Sequence, residues 1–373
     1  MRKRCRGWNL IAWLCAAVTT ICLAQDKPPP ADVNMSTPRD AHAALLVGAK
    51  VLLIGGRTRP SGATTAATEW YDPTQGACTP AGDMAGSRSF CPPVLLADGD
   101  VLLPGGFRQL QHDTTVRAAE LYEVRHSRWR RVGDMRAPRE LHTAIELPDR
   151  TVLIAGGFSN GALLESAELY LPRRRRFIAT GSLHTARFGH TATLLPDGLL
   201  VCGGRAAKDV SLRSSEFYNA RTRSWSYGPT LVQDRFRHTA TLLRDGTLLI
   251  TGGYSSAERK TLATAERYDP ATGLFTLLKS TMSDGRMDHT ATLLPDGRVL
   301  MAGGWSSVKG RTVASVDIFD PASNTFVAAA PLSASRHEHG ATLLPDGTVL
   351  ISGGLQVEPD RQQTLRDLTF YRP

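Results

Sequence analysis

From residue 35 to residue 373 the pattern of hydrophobic and polar positions repeats seven times. One copy shows all its parts. A first strand is predicted over His289–Leu294 and runs into Asp296-Gly297, a pair suited to the positive φ values of a tight hairpin turn. The second strand, Val299–Ala302, is apolar throughout, as a strand covered on both faces would be. Gly303-Gly304 then lets the backbone turn sharply without a Cβ clash. A third strand over Ala314–Phe319 ends at Asp320-Pro321, and a fourth begins near Phe326. Each copy is therefore predicted to be a four-stranded antiparallel meander.

The copies keep register. Gly-Gly recurs at Gly55, Gly105, Gly156, Gly203, Gly252, Gly303 and Gly353, at intervals of 47 to 51 residues. An arginine heads every copy: Arg39, Arg88, Arg139, Arg187, Arg235, Arg286 and Arg336. In six copies an acid stands two before the third-strand aromatic (Glu69, Glu120, Glu168, Glu216, Glu266 and Asp317), with Thr369 in the seventh. Ion pairs or backbone hydrogen bonds that tie blades together are expected of these acids. In those six copies the aromatic, such as Tyr170 or Tyr218, stands seven residues before a fourth-strand partner, such as Phe177 or Trp225. A lone sheet of this kind has two faces to bury, and radial stacking buries both while leaving only short edges. Arg, Asp-Gly, Gly-Gly, acid-x-Tyr and Trp recurring in this order resemble the kelch-repeat family. That resemblance covers essentially all of residues 35–373 and implies an all-β, seven-bladed propeller.

Repeats are placed near 35–84, 85–135, 136–183, 184–231, 232–282, 283–332 and 333–373. The seventh stops at Tyr371-Arg372-Pro373, the end of its third strand. Its fourth strand is expected from about residues 30–35, where Asp32–Asn34 precedes Met35.

The first 24 residues follow other rules. Arg2, Lys3, Arg4 and Arg6 form a basic start, and Leu10 to Ala24 is almost uncharged and apolar. They read as a secretory signal cleaved after Ala24, leaving the propeller as residues 25–373. The apolar run is short of the ~20 residues of a spanning helix, so no membrane span is expected after cleavage. Cys15 and Cys22 follow Leu14 and Ile21, where a lipoprotein signal wants a small residue, which argues against lipidation. Removing the four basic residues lowers the net charge from +9 to about +5, a modest excess that does not imply nucleic acid. Cys78, Cys91 and Cys202 remain, an odd number without metal-ligand spacing. A monomeric periplasmic or secreted protein is expected.

By the order of the meander, the Arg-x-x-His starts and the segments after Gly-Gly share one end of the ring, and the Asp-Gly and Asp-Pro turns share the other. At the first end His42, His142, His190, His238, His289 and His339 follow the arginines by three, with Cys91 in the second copy. A residue repeated with the framework belongs to it, so these histidines are expected to hydrogen-bond between blades rather than gather a metal. A second resemblance sharpens this. Copper radical oxidases of the galactose-oxidase type are built on a seven-bladed kelch propeller. Their copper-binding tyrosines occupy the slot two after the arginine, and the slot three after it holds a copper-binding His in one blade and a thioether Cys in another. Phe90-Cys91-Pro92 looks much like the segment carrying that Cys. The slot two after each arginine here, however, holds Ala41, Phe90, Leu141, Gly189, Arg237, Asp288 and Glu338, with no tyrosine. The resemblance implies the fold and argues against the oxidase activity; no metal and no cofactor are expected.

Arg237, Asp288 and Glu338 lie on consecutive blades, beside the post-Gly-Gly aromatics Phe107, Phe158, Tyr254 and Trp305. Aromatic faces next to carboxylates and a guanidinium suit a glycan or a protein loop. The expected function is an extracytoplasmic binding scaffold whose mouth takes such a ligand. The alternative is a carbohydrate-active enzyme, either epimerase- or mutarotase-like or a degenerate galactose-oxidase-like protein, although no catalytic residue is assigned. At the opposite end Arg125, Arg128, Arg130, Arg131, Arg173–Arg176, Arg221 and Arg223 cluster at third-to-fourth strand turns, where an anionic polymer is a candidate partner.

Overall fold

The computed structural model describes residues 33–373 except residues 60, 110–112 and 197. Residues 1–24, expected to be a secretory signal, and Asp32 lie outside the described residues. The chain is all-β, with seven antiparallel blades set around an axis. Blade three is typical: Thr143–Glu146, Val152–Ala155, Ala167–Leu171 and Arg176–Ala179 pair in that order. The second strand is covered on both faces, and Val152 and Ile154 are fully buried. Tyr170 pairs with Val152 on one side and Phe177 on the other, and its ring lies 4.9 Å from that of Phe177. Such rings fill the space between neighbouring sheets. Tyr170, for instance, belongs to a cluster with Leu102 and Leu121 of blade two.

In blade two the first strand shrinks to Val94–Leu95, because Pro92-Pro93 precedes it and proline offers no N–H to a ladder. The sheet of blade seven has three strands, Gly340–Leu343, Val349–Ser352 and Leu368–Tyr371. Its outer edge is met by the N-terminal segment: the Leu368 N–H donates to the Val33 carbonyl at 2.9 Å and the Met35 N–H to the Arg366 carbonyl at 2.8 Å. Val33 and Met35 are buried with Val51, Leu53, Leu350 and Leu368, at the seam of blades seven and one.

The repeated arginines are buried at the crossovers between blades. Arg286 donates to the Gly303 and Ser315 carbonyls at 3.0 and 2.7 Å and pairs with Asp317 at 2.6 Å. Asp317 also accepts the Ser283 N–H at 2.9 Å, fixing the incoming crossover. Glu69, Glu120, Glu168, Glu216 and Glu266 pair likewise with Arg39, Arg88, Arg139, Arg187 and Arg235. In blade seven the partner of Arg336 is Asp367 at 2.7 Å, two residues ahead of Thr369, whose hydroxyl donates to it. Among the described residues no helix is long and apolar enough to cross a membrane.

Candidate functional site at the propeller mouth

The slot two after each arginine has one conformation in every blade. Ala41, Phe90, Leu141, Gly189, Arg237, Asp288 and Glu338 all have φ between 50° and 60°. Six of the seven are not glycine, in a region L-residues seldom enter. Their backbones join head to tail: Glu338 accepts from Ala41, Ala41 from Phe90, and so on round to Asp288 from Glu338. These seven N–H···O bonds, 2.8 to 3.4 Å long, close a ring that crosses every blade boundary. The left-handed turn offers the N–H to one neighbour and the carbonyl to the other, so the side chains are freed to carry chemistry.

The structure brings Arg237, Asp288 and Glu338 together and adds charges from blade one. Arg237 Nη1 lies 2.8 Å from Asp288 Oδ2 and 3.3 Å from Glu338 Oε1. Arg57 Nη2 contacts Glu338 Oε2 at 2.5 Å, and its Nε contacts Asp40 Oδ1 at 2.5 Å. The result is a chain Asp288–Arg237–Glu338–Arg57–Asp40, and Arg59 Nε lies 4.0 Å from the second oxygen of Asp40, so three carboxylates meet three guanidinium groups. The Phe90 ring sits 4.6 Å from the Arg57 guanidinium and 6.0 Å from that of Arg237, so the aromatic face of blade two supports both cations. Burial raises the Asp40 carboxyl above its ordinary range, although Arg57 pulls the other way. For Glu338 burial also acts upward, but Arg57, His337 and Arg237 outweigh it and hold the carboxyl below its ordinary value. Asp288 and Glu338 thus share Arg237 instead of standing free.

Beside this chain runs an aromatic arc from blade three to blade five. Phe158 lies 5.8 Å from Phe188, Phe188 6.2 Å from Phe236, and Phe236 5.7 Å from Tyr254. The Arg205 guanidinium rests 5.3 Å from the Phe236 ring. Phe107 and Trp305 occupy the same slot in their own blades, bridged in backbone to Ser89 and Met287, and stand apart from the arc. Arg57, Asp40, Arg205, Phe188 and Phe236 were not singled out in the sequence. They occupy the first position after Gly-Gly or the position one after the arginine, and comparing those two slots across the repeats would have found them.

The histidine positions below are used differently. Their Nε2 atoms bond hydroxyls of the preceding blade: His190 to Thr143 at 3.1 Å, His238 to Thr191 at 3.0 Å, His289 to Thr239 at 3.1 Å and His339 to Thr290 at 3.0 Å. His42 faces Gly340 and takes Ser352 instead, at 2.8 Å. Blade two offers Pro92 where a threonine would stand, and both ring nitrogens of His142 lack a partner.

No family model matches this chain, and no curated protein matches its sequence. The chain is similar in structure to a fungal alcohol oxidase of the AA5 family solved in complex with copper. The TM-score is 0.69 at 16% identity, over 92% of this chain and 77% of that one. A likeness at that identity shows the fold alone. The residues present here do not fit copper. No phenol stands in the ring of seven, five of the six histidines are spent on hydroxyls, and among the described residues no three His, Cys, Asp or Glu side chains group as metal ligands.

Proposed function

We propose that the chain is an exported kelch-type binding scaffold that takes a glycan or a protein loop at its mouth. The observation that carries this reading is the juxtaposition of the charge chain Asp288–Arg237–Glu338–Arg57–Asp40 with the arc Phe158–Phe188–Phe236–Tyr254. Aromatic faces shield apolar sugar or side-chain surfaces, while the partly exposed Arg237 and Asp288 exchange hydrogen bonds with hydroxyl or amide groups. Asymmetry supports it too: the framework repeats in all blades, whereas the ring side chains do not, and function on a symmetric scaffold resides in such differences.

A second reading, a carbohydrate-active enzyme, draws on one observation. Asp40 and Glu338 flank Arg57 with their proton affinities pushed in opposite directions, a feature of acid–base pairs.

Screening the purified protein on a glycan array, followed by calorimetry and product analysis, separates the two. Under the binding reading a hit is returned unchanged. Arg237→Ala and Tyr254→Ala should each weaken binding by roughly 1–3 kcal/mol, the cost of a lost buried polar or packing contact. Turnover of a bound sugar would favour the enzyme, and undiminished binding in both variants would move the site elsewhere.

A further inference from the structure

At the end of the propeller away from the mouth, a cleft of about 500 Å3 opens between blades three and four. Arg150, Arg173, Arg174, Arg176 and Arg223 line it, with Leu171, Pro172 and Ile178 as its apolar part. The one acid in its wall, Asp149, is occupied with the Thr151 N–H and hydroxyl at 3.0 and 2.7 Å. Arg150 reaches Glu146 only at 4.0 Å, and among the described residues Arg173, Arg174, Arg176 and Arg223 have no ion-pair partner. The neighbouring cleft between blades two and three is different. There Asp98, Asp100 and Glu123 face Arg125, His126 and Arg175, and Glu123 alone contacts Arg128, Arg130 and Arg175. One cleft is balanced in charge and the other is not.

The backbone gives a second, independent observation. The hairpin turn of blade three puts Arg150 at φ 69°, where blades two, five, six and seven have Gly99, Gly246, Gly297 and Gly347. The lower turn of blade four puts Arg223 at φ 56°, in the slot held by Gly76 and Gly273 in blades one and five and by Ser127, Arg175 and Asn324 in blades two, three and six. Left-handed backbone suits glycine, so Arg150 stands where folding favours a smaller residue. Arg150 and Arg223 both line the same cleft.

We infer that this cleft binds an acidic oligosaccharide segment bearing carboxylate or sulfate groups, at a site separate from the mouth. Five guanidinium groups from three turns around 500 Å3 match several anionic groups on one ligand rather than a single ion. The lining holds no aromatic side chain on which a nucleobase could stack. None of the large apolar residues exposed on the surface, such as Tyr227, Leu274, Val308 and Val327, lines the cleft, so it lacks the inserting groups of a lipid-binding face.

The test uses the purified protein and a labelled heparin-derived octasaccharide, read by fluorescence anisotropy across a salt series. Replacing Arg173, Arg174 and Arg176 together with Ala should weaken binding at least about tenfold at low salt and flatten the log Kd–log salt slope by about two to three. Removing the same charge elsewhere, by Lys279→Ala, Arg361→Ala and Arg366→Ala together, should leave the affinity unchanged. Arg150→Gly should weaken binding while the melting temperature holds or rises, which distinguishes a ligand-facing arginine from a structural one. Equal losses in the two triple variants, or unchanged binding in the first, would overturn the inference. So would an oligothymidylate or a phosphatidylglycerol vesicle that binds as tightly as the octasaccharide with the same dependence on Arg173–Arg176.

Discussion

His142 and His190 occupy the same slot in adjacent blades and differ only in what the preceding blade offers. His190 bonds Thr143, whereas His142 faces the Pro92 side of blade two and is buried with both nitrogens unpaired. Replacing His190 with Leu should therefore cost about 1–3 kcal/mol, since it removes a buried hydrogen bond and strands a hydroxyl. His142→Leu should cost less, because it removes an unsatisfied polar group of similar size. Urea titrations of the two variants give the comparison, and an equal loss would show that Nε2–hydroxyl bonds contribute little. At this scale the sequence was legible wherever residue types recur in register, as with Arg286 and Asp317. The charge chain was legible only in part: Arg237, Asp288 and Glu338 share a repeat slot, but Arg57 and Glu338 are 281 positions apart and meet only after the ring closes.

Among the elements, the strands of each blade could be read from the apolar runs and their turns. Two features could not. Five of the segments after Gly-Gly fold as short second hairpins, such as Tyr254–Ser255 with Lys260–Thr261, too brief to leave a periodic signal. The first strand of blade two is cut short by prolines whose effect depends on which backbone groups face the ladder. The junction of the termini permits a direct test at this level. A chain beginning at Ser36 should melt several degrees below one beginning at Gln25, because it loses the two backbone bonds to Leu368 and Arg366 and the buried Val33 and Met35. Thermal unfolding by circular dichroism measures this, and equal melting temperatures would mean that the ring holds without the N-terminal segment.

For the whole molecule, the buried histidines set the response to acid. Burial, helped by the nearby framework arginines, lowers the pKa of His42, His190 and His289 from 6.5 to about 3, and that of His142, His238 and His339 well below 6.5. Unfolded chains take up these protons and the native chain does not. The histidine contribution to stability is therefore fully present above about pH 6.5 and is lost as the pH falls toward 3. Each histidine should subtract about 1.4 kcal/mol per pH unit in that window. Six acting together are comparable within two units to the 5–15 kcal/mol of a typical domain, roughly. Denaturation midpoints should thus fall steeply between pH 6.5 and 5, and a flat profile would mean that the imidazoles are protonated in the native state. The seven-fold repeat made the architecture legible from the sequence, while the ligand was not, because symmetry announces a scaffold and says nothing of what it carries. The backbone ring at the mouth adds a mechanical consequence. Its seven links form a hoop, and two blades cannot splay apart without stretching a link that the other six resist. Since the hoop is made of main chain alone, its seven side chains form a palette that substitution can recolour blade by blade without loosening the propeller beneath.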